Sequence, residues 1–116
     1  LASVNVSNYE VIGIDEASFF DDLKDTVLVW VEKEKKIVIV AGLNGDYQRK
    51  PFGQILDLIP FCDNITKLYP FCFFCKKEKN EIRNALFTKR IVSSNEKILI
   101  GNKDFYIPVC RNCFTN

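Results

Sequence analysis

A chain of 116 residues can form one domain with a modest core. With 47% hydrophobic and 27% charged residues its composition is ordinary for a globular protein, which argues against general disorder. A net charge of +1 excludes a global electrostatic pull toward nucleic acid or membrane, and no apolar run approaches the length needed to span a bilayer. The charge is uneven: residues 1–75 carry a balance of −4 and residues 76–116 a balance of +5, which fits either an anionic partner for the second part or a solvated surface. The start, Leu1-Ala2-Ser3-Val4-Asn5, has neither a basic leader nor a long apolar core, so no signal peptide is expected. Met is absent throughout, which is the expectation for a fragment or a processed chain.

Tyr9 to Asp15 is a short apolar run ending in acid, the pattern of a strand buried on both faces in a parallel sheet. Ser18 or Asp21 is placed to cap a following helix, whose apolar positions Phe20, Leu23, Val27, Trp30 and Val31 are near helical spacing. Ile37 to Gly42 reads as a second buried strand, so the first forty residues predict one βαβ unit. Gly42 to Gly53 is a loop. Gly53 to Ile59 predicts a short helix stopped by Pro60, and Asn64 to Leu68 a further strand. Lys76 to Asn84 is strongly polar and is expected to be mobile. Phe87–Val92 and Lys97–Ile100 flank Ser93-Ser94-Asn95-Glu96, a predicted hairpin, and Asn102-Lys103-Asp104 is a turn before a last run, Phe105 to Val109. No repeat or low-complexity tract is present.

Five Cys and no His occur. Four form two Cys-x-x-Cys pairs, Cys72/Cys75 and Cys110/Cys113, with 34 residues between the pairs. Each pair forms a knuckle that aims two thiolates at one point, and two knuckles complete a tetrahedron at about 2.3 Å from a zinc ion. Two disulfides or a redox pair are the competing reading. Adjacent knuckle thiols rarely make unstrained disulfides, however, and a redox motif does not need a twin. A closed four-sulfur site is structural and adds on the order of 10 kcal/mol of folding free energy to a small subdomain. Paired thiols without a secretory signal suit a reducing compartment, so a cytoplasmic location is expected. Cys62 stands alone and reads as a buried apolar residue.

Asp15-Glu16 closes the first predicted strand. An Asp at the carboxyl end of a parallel strand can hold Mg²⁺ against nucleotide phosphates, and an adjacent Glu can take a proton from an attacking hydroxyl. A solvated strand end is an equally good reading of the pair alone. The glycines are Gly13, Gly42, Gly45, Gly53 and Gly101, and none begins a Gly-x-x-x-x-Gly-Lys-Ser/Thr phosphate loop.

Taken in order, these segments resemble one family. Val11-Ile12-Gly13-Ile14-Asp15-Glu16 with Phe19-Phe20 resembles the Walker B segment of the zinc-containing thymidine kinases of animal cells, poxviruses and many bacteria. Leu43-Asn44-Gly45-Asp46-Tyr47-Gln48-Arg49-Lys50-Pro51-Phe52-Gly53 closely resembles that family's next motif, and Ile55 to Pro60 continues it. The paired Cys, Phe87-Thr88-Lys89-Arg90, and Gly101 followed by Tyr106 complete the series, over nearly the whole chain.

The resemblance implies an α/β fold: part of a P-loop (RecA-like) parallel sheet over residues 1–69, then a zinc-anchored β subdomain over residues 70–116 carrying a lasso loop. It implies transfer of the γ-phosphoryl group of ATP to the 5′-hydroxyl of thymidine or deoxyuridine. Glu16 would be the general base and Asp15 would act on Mg²⁺. Phe19, Leu43, Tyr47 and Phe52 would wall the thymine pocket, and Thr88 would sit near the base. Backbone groups around Leu99 and Gly101 would bond the base edge, and Tyr106 would close on the sugar. Arg49 and Lys50 would be either phosphate ligands or loop-ordering residues. Cys72, Cys75, Cys110 and Cys113 would hold structural zinc. A homotetramer and feedback by dTTP are expected, with no nucleic-acid or membrane partner. Two other readings are open: a zinc ribbon whose basic half grips nucleic acid with Phe73, Phe74 and Phe87 stacking bases, and a homologue that keeps nucleoside binding without catalysis.

Overall fold

The computed structural model describes residues 1–92 and 104–116, apart from the side chains of Val92 and Asp104. The chain divides into two compact units. The first comprises residues 1–44 and 51–65, the second residues 45–50 and 66–116.

In the first unit, β1 (Val11–Ile14) pairs in parallel with β2 (Ile37–Val40), Val11 opposite Ile37 and Ile14 opposite Val40. Because side chains alternate along a strand, Ile12, Ile14, Val38 and Val40 share one face. They pack against a core of Val6, Ala17, Leu23, Val27, Trp30 and Leu58. The other face carries Val11, Ile37 and Ile39, each more than half exposed, so burial on both faces is not met among the described residues. The physical reason is that the helical layer covers only one side of this two-stranded sheet.

The connection between the strands is helical, as the spacing predicts. It consists of α1 (Leu23–Leu28) running directly into a π-type turn, Val29–Lys33. The turn is closed by the bond from Glu34 N–H to the Val29 carbonyl. Lys35 takes a left-handed φ of 58°, and Lys36 N–H returns to the Trp30 carbonyl, the pattern that terminates many helices. The expected caps are corrected. Asp22 holds the cap position, and its side chain accepts from Thr26 Oγ1 rather than from a backbone N–H at the helix start. Ser18 turns elsewhere, as described below. The helix expected over Gly53 to Ile59 is a 3-10 helix over Ile55–Phe61 that includes Pro60. The tighter turn tolerates Pro60 because few of its bonds are needed there.

The strand expected at Asn64 to Leu68, a segment that runs from the first unit into the second, does not form: the segment is exposed and has no ladder partner among the described residues. Its β-branched residues have propensity but no neighbouring strand to pair with. The polar stretch after Cys75 opens within a helix, α2 (Phe73–Lys79), ended by Asn80 in the left-handed region. β3 (Phe87–Val92) pairs antiparallel with β4 (Asp104–Val109), placing Thr88 opposite Pro108 and Arg90 opposite Tyr106. The predicted hairpin partner Lys97–Ile100, its turn Ser93–Glu96, and Asn102-Lys103 lie outside the described residues. Asp104, expected in a turn, begins β4. A last helix, α3 (Arg111–Thr115), follows. The core is Cys72, Cys75, Ala85, Val109 and Cys110, with Phe74, Phe87, Ile107, Cys113 and Phe114 packed on it.

Candidate functional site

The two cysteine knuckles are built alike. Each opens on an extended residue, Cys72 or Cys110, and turns at once into a short helix that carries the second thiol, Cys75 on α2 or Cys113 on α3. Backbone bonds lock them: Lys76 N–H to the Cys72 carbonyl, Phe114 N–H to the Cys110 carbonyl, and Cys72 N–H to the Arg83 carbonyl at 2.7 Å. Lys89 Nζ reaches across from β3 to the carbonyls of Cys113 and Asn116, a cation on unsatisfied acceptors at a helix carboxyl end.

The four sulfurs converge, all within 4.8 Å of one another. Cys75 Sγ is 3.8 Å from both Cys110 Sγ and Cys113 Sγ. A tetrahedron with metal–sulfur bonds of about 2.3 Å has edges of about 3.8 Å, so the donor set fits a zinc ion. These separations are far too long for disulfides, and the four thiols are free.

The thiols are not equivalent. Burial pushes the Cys72 thiol up, but the backbone N–H groups of Cys75 and Cys110 and the neighbouring thiols together outweigh it and bring the group down to about 6. Burial raises Cys75, aided by the thiols of Cys72 and Cys110. Burial and the other three sulfurs raise Cys113 to about 12. Cys72 is thus more acidic than an ordinary thiol, and Cys75 and Cys113 less so. Cys62 is exposed rather than buried, its Sγ donating to the Ile59 carbonyl. The 3-10 turn ahead of it directs its side chain outward.

In the first unit, Asp15 and Glu16 lie exposed at the carboxyl end of β1. Asp15 Oδ1 accepts from Glu16 N–H at 2.8 Å, and Glu16 adopts a left-handed φ of 51°. That region is uncommon for a residue with a side chain and is typical of places where function fixes the backbone. Ala17 N–H then bonds the Ala41 carbonyl, joining this corner to the end of β2.

Buried Ser18 donates its Oγ to the Leu43 carbonyl at 2.8 Å, pinning the start of the following loop. The packing there is close. The Gly42 Cα faces Ala17 N and Ser18 Oγ, and Gly53, at φ +66°, lies against the Ser18 backbone where a side chain would collide. Phe19 meets Phe52 edge-on at 5.2 Å between centroids. Phe19 and Leu43 are both more than half exposed.

In the second unit, Tyr47 and Tyr106 come together, ring centroids 6.0 Å apart. Arg90, to which no individual role was assigned from the sequence, stacks on Tyr47 at 5.2 Å and donates to its hydroxyl at 3.3 Å. Thr88 lies two positions before Arg90, on the same face of β3. The alternation of Thr88 and Arg90 was the signal that could have grouped Arg90 with Tyr106. Leu99 and Gly101 lie outside the described residues. Among the described residues no helix is long and apolar enough to cross a membrane.

The sequence model of the family described as thymidine kinase matches residues 2–114. A thymidine kinase of Oryza sativa subsp. japonica is 49% identical over 102 residues, 88% of this chain and 35% of its own length. Thymidine kinase 1 of Dictyostelium discoideum is 45% identical over 112 residues, 94% of this chain and 45% of its own length. The thymidine kinase of Vaccinia virus (strain Western Reserve) is 43% identical over 110 residues, 95% of this chain and 58% of its own length. The chain thus spans between about a third and three-fifths of the length of these relatives. A match over nearly every residue, with four converging sulfurs in the second unit and an acidic pair ending a parallel strand in the first, means that the chain belongs to the thymidine kinase family.

Proposed function

We propose that the protein of which these residues form part is a thymidine kinase that transfers the γ-phosphoryl group of ATP to the 5′-hydroxyl of thymidine or deoxyuridine. The observation that carries this reading is the family match across residues 2–114. The acidic corner at the end of β1 supports it, because open α/β sheets bind ligands beyond the carboxyl ends of their strands.

In this reading the 5′-oxygen bonds to the γ-phosphorus, the bond from that phosphorus to the β,γ-bridging oxygen breaks, and ADP leaves with the electron pair. Glu16, exposed and fixed by its left-handed backbone, takes the proton from the 5′-hydroxyl as it attacks. Asp15, its Oδ1 oriented by the Glu16 N–H, is the residue that would hold Mg²⁺ with the nucleotide. That ion would neutralise charge developing on the transferring phosphoryl group. The cradle for the ATP phosphates is assigned to sequence beyond these 116 residues, within a P-loop (RecA-like) sheet to which β1 and β2 belong.

Phe19, Leu43 and Phe52 in the first unit, and Tyr47, Thr88 and Tyr106 in the second, are assigned to nucleoside recognition. Aromatic faces suit a pyrimidine, and exposed rings are available to one. Leu99 and Gly101 keep the role that the resemblance implies for them. Structural zinc on Cys72, Cys75, Cys110 and Cys113 would fix the framework of β3 and β4. A cytoplasmic enzyme, assembled as a homotetramer and inhibited by dTTP, completes the proposal.

The test uses the full-length gene product with Mg-ATP and thymidine, reading dTMP by chromatography. Wild-type protein should turn over, and Glu16→Gln should lose about 10²- to 10⁴-fold in kcat while still binding thymidine. Folded, zinc-loaded wild-type protein without turnover overturns the assignment.

A further inference from the structure

The loop at residues 45–50 is folded around one side chain. Asp46 Oδ1 accepts from Gln48 N–H and Lys50 N–H at 2.8 and 2.9 Å, and Asp46 N–H bonds the Lys50 carbonyl. Arg49 is held left-handed at φ 63°, its N–H on the Asp46 carbonyl. This closed turn sends two side chains in different directions. Tyr47 goes to Arg90 and Tyr106, which are cross-strand partners on one face of the β3–β4 pair. The Arg49 guanidinium goes to Phe114, 4.6 Å from its ring centroid, and to Phe87, 5.2 Å from its centroid.

Those two rings belong to the metal centre's own packing. Phe114 follows Cys113 directly, its N–H bonds the Cys110 carbonyl, and it lies 5.2 Å from Phe87 in a tilted pair. Both rings pack on the buried cysteines. Among the described residues no carboxylate pairs with Arg49, so the rings are what engage its guanidinium. A planar guanidinium stacks on aromatic faces in a way an ammonium does not.

We infer that Arg49 is a positioning residue: it clips the loop bearing Tyr47 onto the ring pair of the cysteine centre, so that metal occupancy sets the order of that loop. This decides between the two roles the sequence left open for Arg49, since a guanidinium stacked on two rings orders the loop. The consequence for substrate rests on the assignment of Tyr47 to the nucleoside; the structural coupling does not.

The experiment uses the full-length, zinc-loaded gene product and reads amide hydrogen exchange in residues 45–50, zinc content, and steady-state kinetics. Arg49→Ala should speed exchange in the loop about three- to tenfold with zinc content unchanged, the range expected for a partly exposed stack. Arg49→Lys should be intermediate. Phe114→Leu, which keeps apolar volume and removes the ring, should match Arg49→Ala, and the double variant should add little because the two residues act as one contact. Removing zinc with a chelator should speed loop exchange in wild type and have less further effect in Arg49→Ala. The thymidine KM should rise, by no more than the exchange factor, with kcat and the ATP KM retained.

Unchanged loop exchange in Arg49→Ala overturns the inference, as does additivity with Phe114→Leu. A raised ATP KM without a change in exchange would make Arg49 a phosphate ligand instead. If wild type shows no turnover, the kinase assignment fails while the exchange measurements still decide the role of Arg49.

Discussion

The two units solve the problem of a small core in different ways. The first buries aliphatic and aromatic side chains, Leu23 and Ala17 completely, beneath a two-stranded sheet. Among its described residues the second has three cysteines in a core of five, with Ala85 and Val109 as the apolar partners at that level of burial. Below a certain size a core cannot bury enough apolar surface to offset chain entropy, and a metal supplies the difference. The contrast teaches that one unit is held by shape and solvent exclusion while the other places four sulfurs to hold a metal, and the two should respond to different insults.

Metal removal should break the comparison most strongly. Chelation, or Cys110→Ser, should cost the second unit on the order of 10 kcal/mol, enough to unfold it. Hydrogen exchange should show loss of protection in β3, β4 and α2 while β1, β2 and α1 keep theirs. Equal loss in both units would show that they fold as one.

The reverse experiment is Leu23→Ala. Leu23 is fully buried, so the cavity should cost about 2–5 kcal/mol, read as a lowered denaturation midpoint for the first unit. Zinc stoichiometry should not change. Zinc loss in this variant would mean that the first core supports the metal site.

The most specific contrast is in pH. Cys75 and Cys113 are raised, so zinc must displace a proton from each, and affinity should fall about tenfold per pH unit for each such thiol. Competition with a chromogenic chelator between pH 8 and pH 6 measures this. In the metal-free unit the signs are opposed. Cys72, lowered from 9.0 to about 6, stabilises the fold above pH 9, and this is lost as pH falls through 6. Cys113, raised from 9.0 to about 12, stabilises below pH 9, and this is lost as pH rises through 12. No buried group of the first unit's core titrates in this range, so its midpoint should stay flat between pH 8 and pH 6. A matching pH dependence in both units would remove the distinction.

Much of this was legible in the residues. The spacing of the cysteines announced four converging thiols because a knuckle is a local turn whose geometry follows from two intervening residues. The apolar runs of β1 and β2 and the helical repeat through Leu23, Val27 and Trp30 were equally readable, since local periodicity selects the face that packs. Asn64 to Leu68 misled because a strand exists only where another strand accepts its hydrogen bonds, and propensity carries no information about that partner. The helix after Cys72 was hidden by its lysines, whose charge suggests a solvated, mobile stretch but whose intrinsic helix propensity is good.

The sequence by itself determined the local motifs, the two Cys-x-x-Cys pairs and the order of the acidic pair after a strand, because each depends on residues a few positions apart. Only the tertiary structure decided that Ser18 holds the Leu43 carbonyl, that Arg90 and Tyr106 share Tyr47, and that Arg49 rests on Phe87 and Phe114. Those partners stand 16 to 65 positions apart in the chain, and contacts over such distances are fixed by how the elements pack.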